Sequence, residues 1–97
     1  MSAAARPIYE IRFRSRRVTR ELDALSQVDY RRISVAIQHL ASEPRPAGTA
    51  RLEDNIYRIR VGRYRIIYQV IDQERQVIIG GVRRRSERTY RGIRELF

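Results

Sequence analysis

Ile56-Tyr57-Arg58-Ile59-Arg60-Val61-Gly62-Arg63-Tyr64-Arg65-Ile66-Ile67-Tyr68-Gln69-Val70-Ile71-Asp72 is the stretch that decides the fold. Two β-rich runs, Ile56 to Val61 and Tyr64 to Ile71, flank Gly62-Arg63, and glycine at the first position of a two-residue loop suits a tight hairpin turn. That turn sets Val61 opposite Tyr64, Arg60 opposite Arg65, Ile59 opposite Ile66 and Arg58 opposite Ile67. Side chains alternate across a strand. One face therefore carries Tyr57, Ile59, Val61, Tyr64, Ile66 and Tyr68, a core; the other carries Arg58, Arg60 and Arg65. A slip of one residue would send the arginines into the core, so this parity is strongly specified.

Outward from the hairpin, Gln76 to Arg84 reads as a third strand, entered through the turn Asp72-Gln73-Glu74-Arg75. Counting across that turn pairs Ile71 with Gln76 and Arg65 with Val82, which puts Arg84 on the arginine face, one diagonal step from Arg65. Gly80-Gly81 falls inside this strand, where glycine marks a bulge or the close approach of another chain, and no nucleotide-binding fingerprint. Toward the N-terminus, Ile8 to Phe13 alternates as a half-buried strand, with Tyr9, Ile11 and Phe13 on one side. Val18, Leu22 and Leu25 recur at helical spacing between Arg16 and Leu25. Ser26-Gln27-Val28-Asp29 resembles a capping box, and Tyr30, Ile33, Ile37 and Leu40 form the apolar stripe of a second helix running to about Ser42. Pro44-Arg45-Pro46-Ala47-Gly48 ends it. Ser86 suits the cap of a last helix, with Tyr90, Ile93 and Leu96/Phe97 along one side. The expected fold is α+β: an antiparallel-rich twisted sheet packed on an N-terminal helical hairpin, in the order β-α-α-β-β-β-α.

Ninety-seven residues suit a single domain over 1–97. At 42% hydrophobic and 33% charged, the chain reads as globular. No apolar run approaches the roughly 20 residues of a membrane helix. The N-terminus lacks the apolar centre of a secretory signal, and with no cysteine there is neither a disulfide framework nor a thiolate metal site. A cytoplasmic protein without metal or cofactor is the expectation. Twenty-one basic residues against eleven acidic ones leave a charge of +10, which points to a polyanionic partner. Every basic residue is arginine. Arginine grips phosphate in a planar, bidentate fashion, but it stays protonated and makes no general base.

Arg60 opposite Arg65 is a destabilising like-charge pair. The two hairpin strands hold no carboxylate before Asp72, and only Glu53 and Asp54 ahead of the hairpin are positioned to fold over it. An anion site explains such a cluster better than a solvated basic face. His39, between Ile37 and Leu40, reads as a surface or satisfied histidine.

The hairpin resembles the central hairpin of RelE-like toxins in the RelE/ParE toxin–antitoxin superfamily, with its aromatic, alternating basic residues, turn, and Tyr-Arg-hydrophobic-hydrophobic-Tyr. Val82-Arg83-Arg84-Arg85-Ser86-Glu87-Arg88-Thr89-Tyr90 is similar to the family's C-terminal segment, where basic residues precede a tyrosine. The resemblance implies a single RelE-like domain and a metal-independent, ribosome-dependent endoribonuclease that cuts mRNA in the decoding site and inhibits translation. It also implies a cognate acidic, RelB-like antitoxin that masks the basic face. By position, Arg65, Arg84 and Tyr90 take the catalytic places, with Arg85 competing with Arg84. Arg58 and Arg60, with Arg83 and Arg85, take the RNA-binding ones. The implied chemistry is attack of a ribose 2′-hydroxyl on its own 3′-phosphate. Well-known relatives carry lysines where Arg58 and Arg60 stand. Those arginines cannot take the proton, which leaves Tyr90 or Glu87 for that role, or substrate positioning alone; Tyr90 also fits the buried side of the last helix beside Ile93. The alternatives are a ParE-like toxin that poisons DNA gyrase, and an inactive relative that binds only RNA or antitoxin.

Overall fold

A computed structural model of the chain describes residues 8–85 and 93–97. Five strands form one sheet in the order β1-β5-β4-β3-β2: β1 (Glu10–Phe13), β2 (Ala50–Glu53), β3 (Ile56–Val61), β4 (Tyr64–Ile71) and β5 (Gln76–Arg84). β1 runs parallel to β5 and every other pairing is antiparallel. Helices α1 (Arg16–Asp23) and α2 (Gln27–His39) lie between β1 and β2 in the chain. The expected α+β order holds, with one strand more than expected. β2 escapes a reading by pattern because Ala50-Arg51-Leu52-Glu53 has neither β-branched nor aromatic residues. Its partner β3 makes it a strand, through Ala50 opposite Arg58 and Arg51 opposite Tyr57.

The helices cover one face of the sheet. Val18 and Leu22 of α1 and Ile33 and Ile37 of α2, with Leu40 just after it, meet Tyr64, Ile66, Tyr68, Val70, Val77, Ile79 and Val82. Tyr57, Ile59 and Val61 pack on the same core, as the hairpin parity requires. Tyr30 stays 43% exposed at the edge of the helical stripe. The helices also end sooner than expected, at Asp23 and His39. Ser26 caps α2 by accepting the Asp29 amide at 3.2 Å, and the Asp29 carboxylate accepts the Tyr64 hydroxyl instead of an orphan helix amide. Among the described residues no helix is long and apolar enough to cross a membrane.

The opposite face has a small apolar patch, in which Ile56 and Ile67 pack with Ile93 of a short 3-10 helix (Ile93–Leu96), Leu52, Leu96 and Phe97. The expected last helix from Ser86 otherwise lies outside the described residues, as do Glu87 and Tyr90.

The far end of the sheet is tied to the linker after α2. Arg45 grips the Asp72 carboxylate with both terminal nitrogens, at 2.7 and 3.3 Å, and its guanidinium sits 5.1 Å from the Tyr57 ring centroid. Tyr57 stacks on Tyr68, whose hydroxyl donates to the Pro44 carbonyl at 2.7 Å. This latch holds a proline-rich segment, which forms no ladder of its own, against the sheet.

Candidate nucleic-acid interface

The β3–β4 register matches the expectation at every pair from Arg58–Ile67 to Val61–Tyr64, so Arg60 and Arg65 do stand directly opposite each other. β4–β5 begins as expected, with Ile71 opposite Gln76, then departs. Ile67 pairs with Gly81 while Tyr68 pairs with Ile79, so Gly80 is an extra residue in β5. Such a bulge advances the partner strand by one position. Arg65 therefore faces Arg83, not Val82, and Arg84 falls opposite Tyr64, not on the arginine face. Glycine at the bulge has a visible reason. A Cβ at Gly80 would collide with the Phe97 ring, so glycine lets the ring lie against the strand.

The consequence is a cross-strand row, Arg60–Arg65–Arg83, on the side away from the helices. Arg58 lies on the same side, opposite Ile67. Arg84, though parity turns it, sits at the strand end and lines one concavity of about 390 Å³ with Arg63, Arg65 and Arg85. The structure thus brings together five of the sequence's candidates at one end of the sheet: Arg60, Arg65, Arg83, Arg84 and Arg85. Arg63 was not among them. The signal for it was its place in the turn, beside Gly62, whose φ is +58°. The end of β5 is fastened to that turn by the Arg85 amide donating to the Arg63 carbonyl at 2.7 Å.

Counter-charge reaches the Arg83 end of the row from a helix. β1 ends at Phe13, opposite Ile79, so β5 has an open edge beyond it. Glu21 of α1 fills that edge: its Oε1 accepts the Val82 amide at 3.0 Å, and its Oε2 accepts from Arg17 at 2.8 Å and from Arg83. Arg17 in turn donates to the Gly80 carbonyl at 3.1 Å. Arg83 is thus held by an internal acid, a carboxylate that sequence reading did not single out. His39 is exposed, in agreement with its bland reading.

Chemically this end of the sheet offers fixed positive charge and fork-shaped donors, suited to phosphate oxygens. The family model of the ParE toxin of type II toxin–antitoxin systems, parDE, matches residues 14–89. The chain belongs to this family of toxins, within the RelE/ParE superfamily. The solved structures similar to the toxin include archaeal RelE in the RelE–RelB complex from Pyrococcus horikoshii OT3, at 25% identity and TM-score 0.72 over 82% of this chain and 98% of that one. The RelBE2 toxin–antitoxin complex from Mycobacterium tuberculosis gives 25% identity and TM-score 0.69, over 82% and 94%. A free mutant of the E. coli RelE toxin shares the fold at 21% identity and TM-score 0.76, over 93% and 99%. No curated protein sequence matches the toxin.

Proposed function

We propose that this toxin acts on RNA, as a ribosome-dependent endoribonuclease that cleaves mRNA in the decoding site and so stops translation. The observation that carries the reading is the Arg60–Arg65–Arg83 row bordering the concavity of Arg63, Arg65, Arg84 and Arg85. Like charges opposed across strands cost stability, and a phosphate held among them recovers that cost. In the reaction, the ribose 2′-hydroxyl gives up its proton as its oxygen attacks the adjacent phosphorus, the bond from phosphorus to the 5′-oxygen breaks to leave a 2′,3′-cyclic phosphate, and a proton is delivered to the leaving 5′-oxygen. Arg65 and Arg84 stabilise the added negative charge on the phosphoryl oxygens, and this electrostatic term dominates such catalysis. Arg58, Arg60 and Arg85 hold the flanking backbone, and Arg83 joins them only where Glu21 lets go of it. Tyr90 stacks on a base or carries the proton. Because guanidinium stays protonated, the hairpin supplies charge and position, not a base. Metal plays no part in this scheme.

The partner proposed is an acidic antitoxin of the RelB kind. Two of the similar structures are toxin–antitoxin complexes, and a basic face is what an acidic chain would mask. Ribosomes and antitoxin would both be met in the cytoplasm.

A second reading, gyrase inhibition, draws on two observations: the matching model is described as a ParE toxin, and Arg83 is held by Glu21. Purified toxin incubated with message-programmed ribosomes, and in parallel with gyrase and relaxed DNA, separates the two. Cuts mapped within the decoding site are expected. Intact message, together with blocked supercoiling by gyrase, overturns the nuclease reading in favour of the second.

A further inference from the structure

The basic surface does not stop at the sheet. Arg31 and Arg32 stand exposed on the outer side of α2, in a shallow concavity of about 580 Å³ lined also by Gln27, Val28 and Val35. No carboxylate lines it. Among the described residues, no acid forms an ion pair with either guanidinium.

The hairpin tip joins this concavity to the sheet-side one. A Cβ on Gly62 would lie 3.0 Å from Nη1 of Arg32 and 3.7 Å from its Cδ, so Arg32 reaches the tip from the helix side. From the other side Arg85 reaches the same glycine, Nη1 donating to the Gly62 carbonyl at 3.5 Å. Guanidinium groups from a helix and from a strand end thus bracket one glycine. Gly62 serves twice here, supplying the positive φ of the turn and leaving room for Arg32.

We propose that Arg31 and Arg32 form a second phosphate-binding subsite, which takes the backbone of an RNA strand extending past the hairpin tip from the sheet-side arginines. The inference rests on the RNA-binding part of the function proposed above. The ligand chemistry follows from the lining: two planar forks for phosphate oxygens, one amide at Gln27 for a sugar or phosphate oxygen, and no competing acid. Val28 and Val35, 68% and 51% exposed, supply the apolar part of the lining, well short of the roughly 300 Å² or more of contiguous apolar surface that marks a protein-docking site.

Fluorescence anisotropy with 2′-O-methyl oligouridylate, which binds without offering a nucleophile, tests the subsite. Strands of about 4 and about 12 nucleotides bracket the span of one small site. For the R31Q/R32Q double variant, the salt dependence of binding the longer strand should weaken by about 1.4 in log–log slope, two phosphates at about 0.7 each. Binding of the shorter strand should stay as in the parent. The R31K/R32K variant, which keeps both charges, should retain the parent slope. An unchanged slope for the longer strand, or an equal loss on both strands, overturns the subsite while leaving the nuclease reading intact. A parent protein that binds neither strand overturns both. One that binds and loses slope as described, yet leaves ribosome-bound message whole, keeps the subsite and overturns the nuclease.

Discussion

Glu21 is where a single side chain sets the charge of the candidate site. It accepts the Val82 amide through one oxygen and two guanidinium groups through the other, so its roles in the sheet edge and in neutralisation are separable. Glu21→Gln keeps an oxygen for Val82 and releases Arg83. RNA binding by this variant should tighten, and its salt slope should steepen by about 0.7, one phosphate more. Glu21→Ala leaves the Val82 amide without its acceptor and should lower stability by about 2 kcal/mol; paired anisotropy and denaturant titrations read the two effects, and a Gln variant with the parent slope would show that Arg83 stays off the RNA. Asp72 behaves differently. The Arg45 guanidinium and then the Tyr9 hydroxyl hold its carboxyl below the usual carboxylate range. A carboxyl depressed on folding stabilises above its unfolded value, near pH 4, and loses that contribution as pH falls through the folded value. With the Asp72 side chain 55% exposed, solvent screening keeps the contribution under about 1 kcal/mol. Melting temperatures of the parent and Asp72→Asn should therefore differ at neutral pH and converge as pH falls through the lowered folded value. A gap that persists in acid would assign the difference to packing.

At the scale of elements, the β3–β4 hairpin was legible because three constraints agreed: a two-residue turn with glycine first, strict alternation, and arginines that cannot enter a core. The turn into β5 was legible too, since Asp72 to Arg75 was read as the whole connection and Ile71 does pair with Gln76. The register beyond it was not. Gly80-Gly81 marks a bulge or a close approach, but the ring that makes the approach, Phe97, is 17 residues further along the chain. Local pattern does not contain that contact. The extra residue exchanges the sides of Arg83 and Arg84, so the pattern names the candidate residues but not the face each one takes. β2 was missed for a related reason: its residues form a strand only because β3 offers an edge. Gly80→Ala tests the reason for glycine at the bulge. The added methyl must displace the Phe97 ring, a small-to-large change in a filled space that typically costs about 1–3 kcal/mol. The denaturant midpoint should fall at unchanged slope, and Phe97→Ala should cost less in the Gly80→Ala background than in the parent, since the ring has already been moved. Additive losses would separate ring and bulge.

Over the whole molecule, apolar and basic surface are divided by the sheet and then along it. Helices cover one side; on the other, Ile56, Ile67 and Ile93 occupy one part while Arg60, Arg65 and Arg83 line the part toward the hairpin tip. A net charge of +10 spread evenly would attract any polyanion weakly, whereas concentration at one end gives a definite number of contacts. Taking Arg60, Arg65, Arg84 and Arg85 as one phosphate each, the slope for a short single strand is about −2.8, at about 0.7 per phosphate. Between about 50 and 200 mM salt, affinity should then fall by roughly 50-fold. Arg65→Gln with Arg84→Gln should lower this slope by about 1.4 and reduce cleavage on ribosomes by about 100-fold or more, because the same charges serve binding and the transition state. The two readouts divide the possible roles. A halved slope with full cleavage would make these arginines grips alone, and an unchanged slope with lost cleavage would mean that the strand is held elsewhere and meets Arg65 and Arg84 only as the phosphoryl charge develops.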